Sequence, residues 1–389
     1  MRILQLGKFY PLKGGVEKVM YALAKELSER GIDCDAMFAS KDGHTQDIQL
    51  NEHCHIYICR TYLEAKATMI APTMVTTLKQ VCRHYDIIHV HHPDPMAALA
   101  LYLSGFKGKI ILHWHSDIIR QNKLLKLYRP LQSWLIRRAD AIVGTSPVYL
   151  EQSSALARIQ QKCHCIPIGV YETTSNAALT EQIRQQYAGK KIVFSLGRLV
   201  LYKGYEHLIQ AATYLPDDYV VLIGGTGHQH NHLSEIINSQ KLNDKVKLLG
   251  FVPDEELGAY FDASDLFCLP SIDKREAFAI VQVKAMIHGR PIVSTDIPGS
   301  GVPWVNQNGI SGITVPPCDS KALATAIQQV CADEQYYHRL CHQSRQRYEQ
   351  LFRMEKMIDA HQALYEEILQ GKRPNSASIS TDKSQFANL

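Results

Sequence analysis

The stretch Lys191-Ile192-Val193-Phe194-Ser195-Leu196-Gly197-Arg198 decides the fold, because a short apolar run restarts there after a polar interval from Tyr171 to Gly189. A short apolar run closed by glycine reads as a strand covered on both faces. Downstream, similar runs follow at Tyr219–Ile223, Val246–Gly250, Leu266–Pro270, Pro291–Thr295 and Ile313–Val315, with helical-period segments between them. Upstream the same alternation holds at Arg2–Gly7, Asp33–Ala39, Asp86–His91, Lys109–Trp114, Ala141–Thr145 and His164–Pro167. Between the first two runs, Val16–Arg30 carries Val19, Leu23 and Leu27 on one face and stops at Gly31, a helix with a glycine end signal. Strands alternating with helices predict parallel sheets of βαβ units. The expected fold class is therefore α/β, with two doubly wound Rossmann-like domains facing a cleft.

The expected boundaries are an N-terminal domain at 1–170, a linker at 171–190 and a C-terminal domain at 191–350. A C-terminal helix at 351–371 is expected to pack back toward the N-terminal domain, and the Ser/Asn/Thr-rich tail at 372–389 to be disordered.

Across 389 residues, 46% hydrophobic and 21% charged, the composition is that of a folded globular protein and excludes collagen-like and low-complexity classes. A net charge of +4 is too small to argue for nucleic acid. Ten cysteines with no CxxC pair and no export signal read as reduced thiols of a cytosolic protein. No apolar stretch reaches the 18 or so residues needed to span a bilayer. Cys163-His164-Cys165 lacks a second ligand pair at zinc spacing, and no metal site is expected.

Three segments carry candidate chemistry. Gly14-Gly15-Val16-Glu17 opens a helix where backbone N–H donors can meet an anion, although it is neither GxGxxG nor a P-loop. Gly197-Arg198 and Lys203-Gly204 put two cations beyond a strand, a fork and a point charge suited to a diphosphate. Glu276-Ala277-Phe278-Ala279 enters the helix at 280–288, where a carboxylate beside N–H donors suits sugar hydroxyls. Each segment alone has an ordinary structural reading as a turn, a solvated cation or a helix-end charge.

Together, and in this order, these segments resemble the family-4 retaining glycosyltransferases of GT-B fold. The match runs from about residue 1 to 365 and includes His113-Trp114-His115-Ser116-Asp117, Ser146-Pro147, the Gly225-Thr226-Gly227 turn, Gly250-Phe251-Val252-Pro253 and Gly289-Arg290-Pro291. Lys8-Phe9-Tyr10-Pro11, His92-Pro93 and Ile166-Pro167-Ile168-Gly169 look most like bacterial mannosyltransferases that use GDP-mannose on lipid-linked O-antigen or exopolysaccharide units. The resemblance implies that Gly15 lies beside the diphosphate and acceptor, and that Arg198 and Lys203 bind the departing diphosphate. It implies that Glu276 accepts from donor-sugar hydroxyls, that the N–H groups of Phe278 and Ala279 donate to others, that His115 sits at the sugar's reactive side and that Val252 lies near the base. It implies no metal and no other cofactor. Asp33-Cys34-Asp35 matches the DxD of metal-dependent transferases but begins a strand, so it reads as structural.

One departure stands out. Lys284 occupies the place of the family's second glutamate, which accepts from ribose hydroxyls, and an ammonium can only donate. The expectation is weaker donor binding or shifted ribose contacts. The basic amphipathic stretch from Arg120 to Arg138, with Tyr128 and Trp134, suits an anionic membrane surface or, equally, a core helix with a solvated face. The leading expectation is a mannosyltransferase peripheral at the inner face of the cytoplasmic membrane. Rivals are a UDP-sugar transferase of the same fold, a catalytically silent binding subunit, and a dehydrogenase, which the missing GxGxxG disfavours.

Overall fold

The computed structural model describes residues 1–12, 14–65, 68–118 and 122–371. The tail expected to be disordered lies outside the described residues. The chain divides into two compact units, Met1–Gly169 together with the chain from Glu355, and Val170–Met354.

The strands of the first unit are β1 (Arg2–Tyr10), β2 (Asp33–Ser40), β3 (Gln46–Asn51), β4 (Cys54–Cys59), β5 (Leu63–Ala65), β6 (Thr68–Ile70), β7 (Ile87–His92), β8 (Lys109–Trp114), β9 (Ala141–Gly144) and β10 (Cys163–Cys165). Eight of them form one sheet in the order β10-β9-β8-β7-β1-β2-β4-β3, while β5 and β6 pair as a separate hairpin. The order turns at β1, with β2 on one side and β7 on the other. Ile3, Leu4 and Leu6 of β1 and all six residues of β7 are buried, as a strand covered on both faces demands. The helix Gly15–Glu29 lays Val19, Met20, Leu23, Ala24 and Leu27 against this sheet. It ends beside Gly31, whose φ of 78° closes the turn without a Cβ penalty.

The second unit holds β11 (Lys191–Leu196), β12 (Tyr219–Gly224), β13 (Val246–Gly250), β14 (Leu266–Leu269), β15 (Ile292–Thr295) and β16 (Gly312–Val315). They form a parallel sheet in the order β13-β12-β11-β14-β15-β16. The order reverses between β11 and β14, and ligands of open parallel sheets bind beyond the strand ends at such a point. Phe194 of β11 packs edge-on against Phe261 and Phe267, ring centroids 5.2 and 6.1 Å away. Such pairs add about 0.5–1.5 kcal/mol beyond the area they bury.

Three details differ from the sequence-based expectation. The first sheet is not wholly parallel, because β3 runs antiparallel to β4 at its edge. The interval at 171–190 is not a bare linker. It contains the helix Ala177–Gln186, capped by Asn176, buried through Ile183 and tied to the second unit by Arg184 on Asp265 at 3.1 Å. The final helix is Met354–Leu369 rather than 351–371, preceded by a π-helical turn at Tyr348–Phe352 that belongs to the second unit. This helix does return to the first unit, where Tyr365 receives a hydrogen bond from Gln5 of β1 at 3.2 Å and Asp359 pairs with Arg30 at 2.7 Å.

Candidate active site

In the second unit the expected donor-site residues gather around the β11/β14 reversal. β11 runs into Gly197 and Arg198, and a single helical turn, Leu201–Lys203, then swings Lys203 back toward the strand ends. The turn closes on Gly204, whose φ of 65° and 2.2 Å clearance from a Cβ position to the Pro270 carbonyl oxygen leave room for no side chain. Lys203 Nζ lies 2.5 Å from Glu276 Oε2, the two side chains only 9% and 11% exposed. Ser271 Oγ donates to the same Glu276 oxygen at 3.0 Å. The Glu276 loop is held from behind, since Ser300 Oγ donates to the Glu276 carbonyl and Gly301 N donates to Ala277 O at 2.8 Å.

Arg198 is exposed, and its guanidinium donates to the Tyr202 hydroxyl at 3.2 Å. Arg275 stacks over the Tyr202 ring at 4.9 Å while its fork grips Asp273. Tyr205, buried beneath the turn, has its phenol pKa raised well above the usual value by burial and then by the Glu276 charge. Phe278 and Ala279 are buried at the start of the helix Ile280–Ile287, and Ala279 adopts φ 64° and ψ 68°. A non-glycine residue there carries strain of about 1 kcal/mol. Val252 is buried in the loop after β13, against Gly224.

Lys284, in the last turn of the helix Ile280–Ile287, reaches Asp254 Oδ1 at 3.4 Å. A carboxylate is therefore present beside this position, carried by the loop after β13 rather than by the helix.

The first unit holds the other two expected residues. Gly15 is exposed at the start of its helix, and His115 is buried just past β8. The residues around His115 explain their own motif: Trp114 Nε1 donates to Asp117 Oδ1 at 3.0 Å, the Asp117 N–H donates to the Tyr149 hydroxyl at 2.8 Å, and Ser153 Oγ donates to Asp117 at 2.8 Å. Ser146 caps the helix Pro147–Glu151.

The N-terminal part of the chain, residues 13–173, matches the family described as Glycosyltransferase Family 4, and residues 179–347 match Glycosyl transferases group 1. The O-antigen chain mannosyltransferase C of Escherichia coli is 31% identical over 96% of this chain and 100% of its own. The D-rhamnosyltransferase WbpZ of Pseudomonas aeruginosa is 30% identical over 90% of this chain and 92% of its own.

The chain belongs to the family-4 glycosyltransferases.

Its fold agrees. Sucrose-phosphate synthase from Thermosynechococcus elongatus superposes with a TM-score of 0.78 at 20% identity, covering 96% of this chain and 100% of the other. HepE of Anabaena in complex with UDP superposes with a TM-score of 0.75 at 21% identity, covering 94% and 100%. This is the GT-B fold, and the family is one of retaining hexosyltransferases.

Two groups in this glycosyltransferase could suggest a metal. Asp33 and Asp35 are both engaged elsewhere: Asp33 pairs with His53 at 2.8 Å, and Asp35 accepts from the His55 N–H and the Tyr85 hydroxyl, each at 2.6 Å. His89, His91 and His113 offer nitrogens within 4.8 Å of one another. Their rings stack at 4.7–5.2 Å, and both nitrogens of His91 are occupied, by Gln5 and His115. Stacked rings aim their lone pairs side by side, unlike a converging ligand set.

The sequence reading missed Ser271, Tyr202, Tyr205 and Asp254, along with the histidines surrounding His115. Histidines spaced two apart at 89 and 91 and at 113 and 115 were a usable signal, because such residues share one face of a strand. β7 and β8 put His91 opposite His113, so the four rings form a single stack that His361 of the last helix joins.

Proposed function

We propose that this glycosyltransferase transfers mannose from GDP-mannose to a lipid-linked oligosaccharide in O-antigen or exopolysaccharide synthesis, at the inner face of the cytoplasmic membrane. The observation that carries the proposal is the Lys203–Glu276 pair at the sheet reversal, with Arg198 exposed beside it. The reading takes Arg198 and Lys203 as the cations for a diphosphate and Glu276 as the carboxylate for sugar hydroxyls, and it is supported by their lying at the point where parallel sheets take their ligands. The relative named as a mannosyltransferase, matched over 96% of this chain, supports the sugar and the pathway.

In this reading the bond from the sugar's anomeric carbon to the diphosphate oxygen breaks as the acceptor hydroxyl bonds to the same face. The hydroxyl proton passes to a phosphate oxygen, and the diphosphate leaves with its negative charge held by Arg198 and Lys203. Glu276 and the N–H groups of Phe278 and Ala279 orient the sugar, Val252 borders the base, Gly15 lies beside the diphosphate and the acceptor, and His115 sits at the sugar's reactive side. No metal is needed in this scheme, because the two cations supply the charge.

Membrane docking is supported by the helix Asn122–Arg138, which buries Tyr128, Leu135 and Ile136 and exposes Lys126, Arg129 and Arg137. Next to it Leu99, Tyr102 and Leu103 are exposed, and Tyr102 meets Trp134 edge-on at 5.0 Å. Arg120 and the side chain of Lys123 lie outside the described residues. Among the described residues no helix is long and apolar enough to cross a membrane.

A UDP-sugar donor is the second reading, favoured by the UDP-bound relative of the same fold. Thermal-shift titration with GDP, GDP-mannose, UDP and UDP-sugars, with and without Mg²⁺, separates the two, since a ligand of the native state raises Tm by mass action. GDP-selective stabilisation without metal is expected. UDP selectivity would install the second reading, and no response to any nucleotide would indicate a silent subunit.

A further inference from the structure

Tyr202 stands between two segments of the second unit and is tied to both. Its main-chain carbonyl accepts from the Ile272 N–H at 2.8 Å, which fastens the turn Leu201–Lys203 to the loop that leads into Glu276. The Arg275 guanidinium lies over the ring at 4.9 Å, and Arg275 is itself locked, because its Nε meets the two Asp273 carboxylate oxygens at 2.7 and 2.8 Å. Lys203 Nζ lies 6.0 Å from the same ring centre. A ring held by its own backbone and by a clamped arginine presents its hydroxyl at a fixed place. That hydroxyl accepts from the Arg198 guanidinium at 3.2 Å.

The two arginines that meet this ring differ in charge balance. Arg275 spends its fork on a carboxylate. Among the described residues Arg198 meets only the neutral phenol oxygen, so its charge and the rest of its fork stay open to an anion. An exposed arginine gives up rotamer freedom when a ligand fixes it, and a bond that fixes it beforehand lowers that cost. The ordinary reading, a surface tyrosine lying beside a long side chain, predicts no link between the phenol oxygen and anion binding.

We propose that Tyr202 is a positioning residue whose hydroxyl holds the Arg198 guanidinium in place for a diphosphate, with Arg275 clamping the ring rather than binding phosphate. This rests on reading Arg198 as a diphosphate ligand. It makes the residue between the two cations of the Arg198–Lys203 segment part of the site, although a phenol carries no charge of its own there.

The test is calorimetric titration of the full chain with GDP, UDP and inorganic pyrophosphate, in wild type, Tyr202→Phe, Arg198→Ala and the double variant. Tyr202→Phe removes the oxygen and keeps the ring beneath Arg275. It should weaken binding of the preferred nucleoside diphosphate and of pyrophosphate alike by about fivefold, the worth of one modest hydrogen bond. In the Arg198→Ala background the same substitution should have no further effect, because the oxygen then has nothing to hold. Arg275→Gln should likewise weaken binding only while Arg198 is present. An affinity unchanged by Tyr202→Phe, or weakened equally in both backgrounds as a packing defect would do, overturns the positioning role. Weakening by Arg275→Gln in the Arg198→Ala background makes Arg275 a phosphate ligand and overturns the clamp. If wild type binds none of the three probes, the diphosphate reading of Arg198 fails and the proposal falls with it. If it binds them and the Tyr202 and Arg198 substitutions act additively, that reading stands and the role of Tyr202 alone is overturned.

Discussion

Lys203 Nζ and Glu276 Oε2 lie 2.5 Å apart in a site from which solvent is nearly excluded, although 73 residues separate them in the chain. A buried pair of this kind is poor at stabilising a fold, because desolvation offsets attraction. In the proposed transfer it holds a cation ready for the anionic leaving group.

Removing one partner should therefore hurt stability and activity through different routes. Lys203→Met leaves the Glu276 carboxylate buried with Ser271 as its remaining donor and should cost about 3–5 kcal/mol. The double variant Lys203→Met/Glu276→Gln should recover much of that stability in urea denaturation without recovering transfer. Arg198→Ala, at an exposed position, should leave stability within about 0.5 kcal/mol and lower kcat by about 10²–10³-fold. An Arg198→Ala enzyme of normal rate would remove Arg198 from the mechanism.

Gly197→Ala would put a Cβ 2.9 Å from the Tyr205 hydroxyl and 3.2 Å from Lys203 Nζ. The lysine must then shift away from Glu276. We expect diphosphate affinity to fall about tenfold in calorimetric titration, and unchanged affinity would show that the placement of Lys203 is not critical.

Ala279→Gly should relax the left-handed backbone and raise stability by about 0.5–1 kcal/mol, read as a small rise in Tm. Ala279→Val, with a branched side chain in the same conformation, should lower it. Equal Tm values for all three proteins would mean that the strain is absent.

Lys284→Glu puts a carboxylate against Asp254, so repulsion at 3.4 Å replaces attraction. Donor affinity should change in Lys284→Glu, and the charge swap Lys284→Glu/Asp254→Lys should bind donor more tightly than Lys284→Glu alone. If neither variant alters the donor Kd, Lys284 has no part in donor binding.

The buried histidines predict a mild-acid sensitivity. Burial lowers the pKa of His361 to about 4 and of His92 to about 3 from an ordinary 6.5, and lowers His89, His91, His113 and His115 as well. Between the folded and unfolded values the unfolded chain binds more protons. The stability these neutral rings contribute is thus present above pH 6.5 and lost as pH falls through 6.5 toward the folded values. Each ring adds a slope of up to about 1.4 kcal/mol per pH unit. Urea denaturation between pH 7 and 5.5, above the range of ordinary carboxylates, should show a steep fall, shallower in His361→Phe. A flat profile would mean that the array is protonated or solvated.

What the sequence made legible follows from how each element is buried. β1, β8, β11 and β12 announce themselves as short apolar runs because parallel strands inside a sheet are covered on both faces. β3 reads Gln46-Asp47-Ile48-Gln49-Leu50-Asn51 and sits at an edge with little to bury, so no pattern marks it. The helix Ala177–Gln186 presents mostly polar residues and buries little besides Ile183, which makes it look like a linker. Arg198, Lys203 and Glu276 were identifiable as residue types, but that Lys203 and Glu276 meet depends on β14 lying beside β11, a fact of strand order rather than of local sequence. Asp254 beside Lys284 was invisible for the same reason.

Transfer itself tests the central claim most directly. The full chain would be incubated with labelled GDP-mannose, and separately with labelled UDP-glucose, UDP-galactose and UDP-N-acetylglucosamine, together with undecaprenyl-diphosphate-linked glycans ending in mannose or N-acetylglucosamine. The account predicts mannose on the lipid-linked product, with the donor's anomeric configuration retained, and loss of the product in Arg198→Ala. Transfer from UDP-sugars alone, inversion at the anomeric carbon, or no transfer from any donor would contradict it.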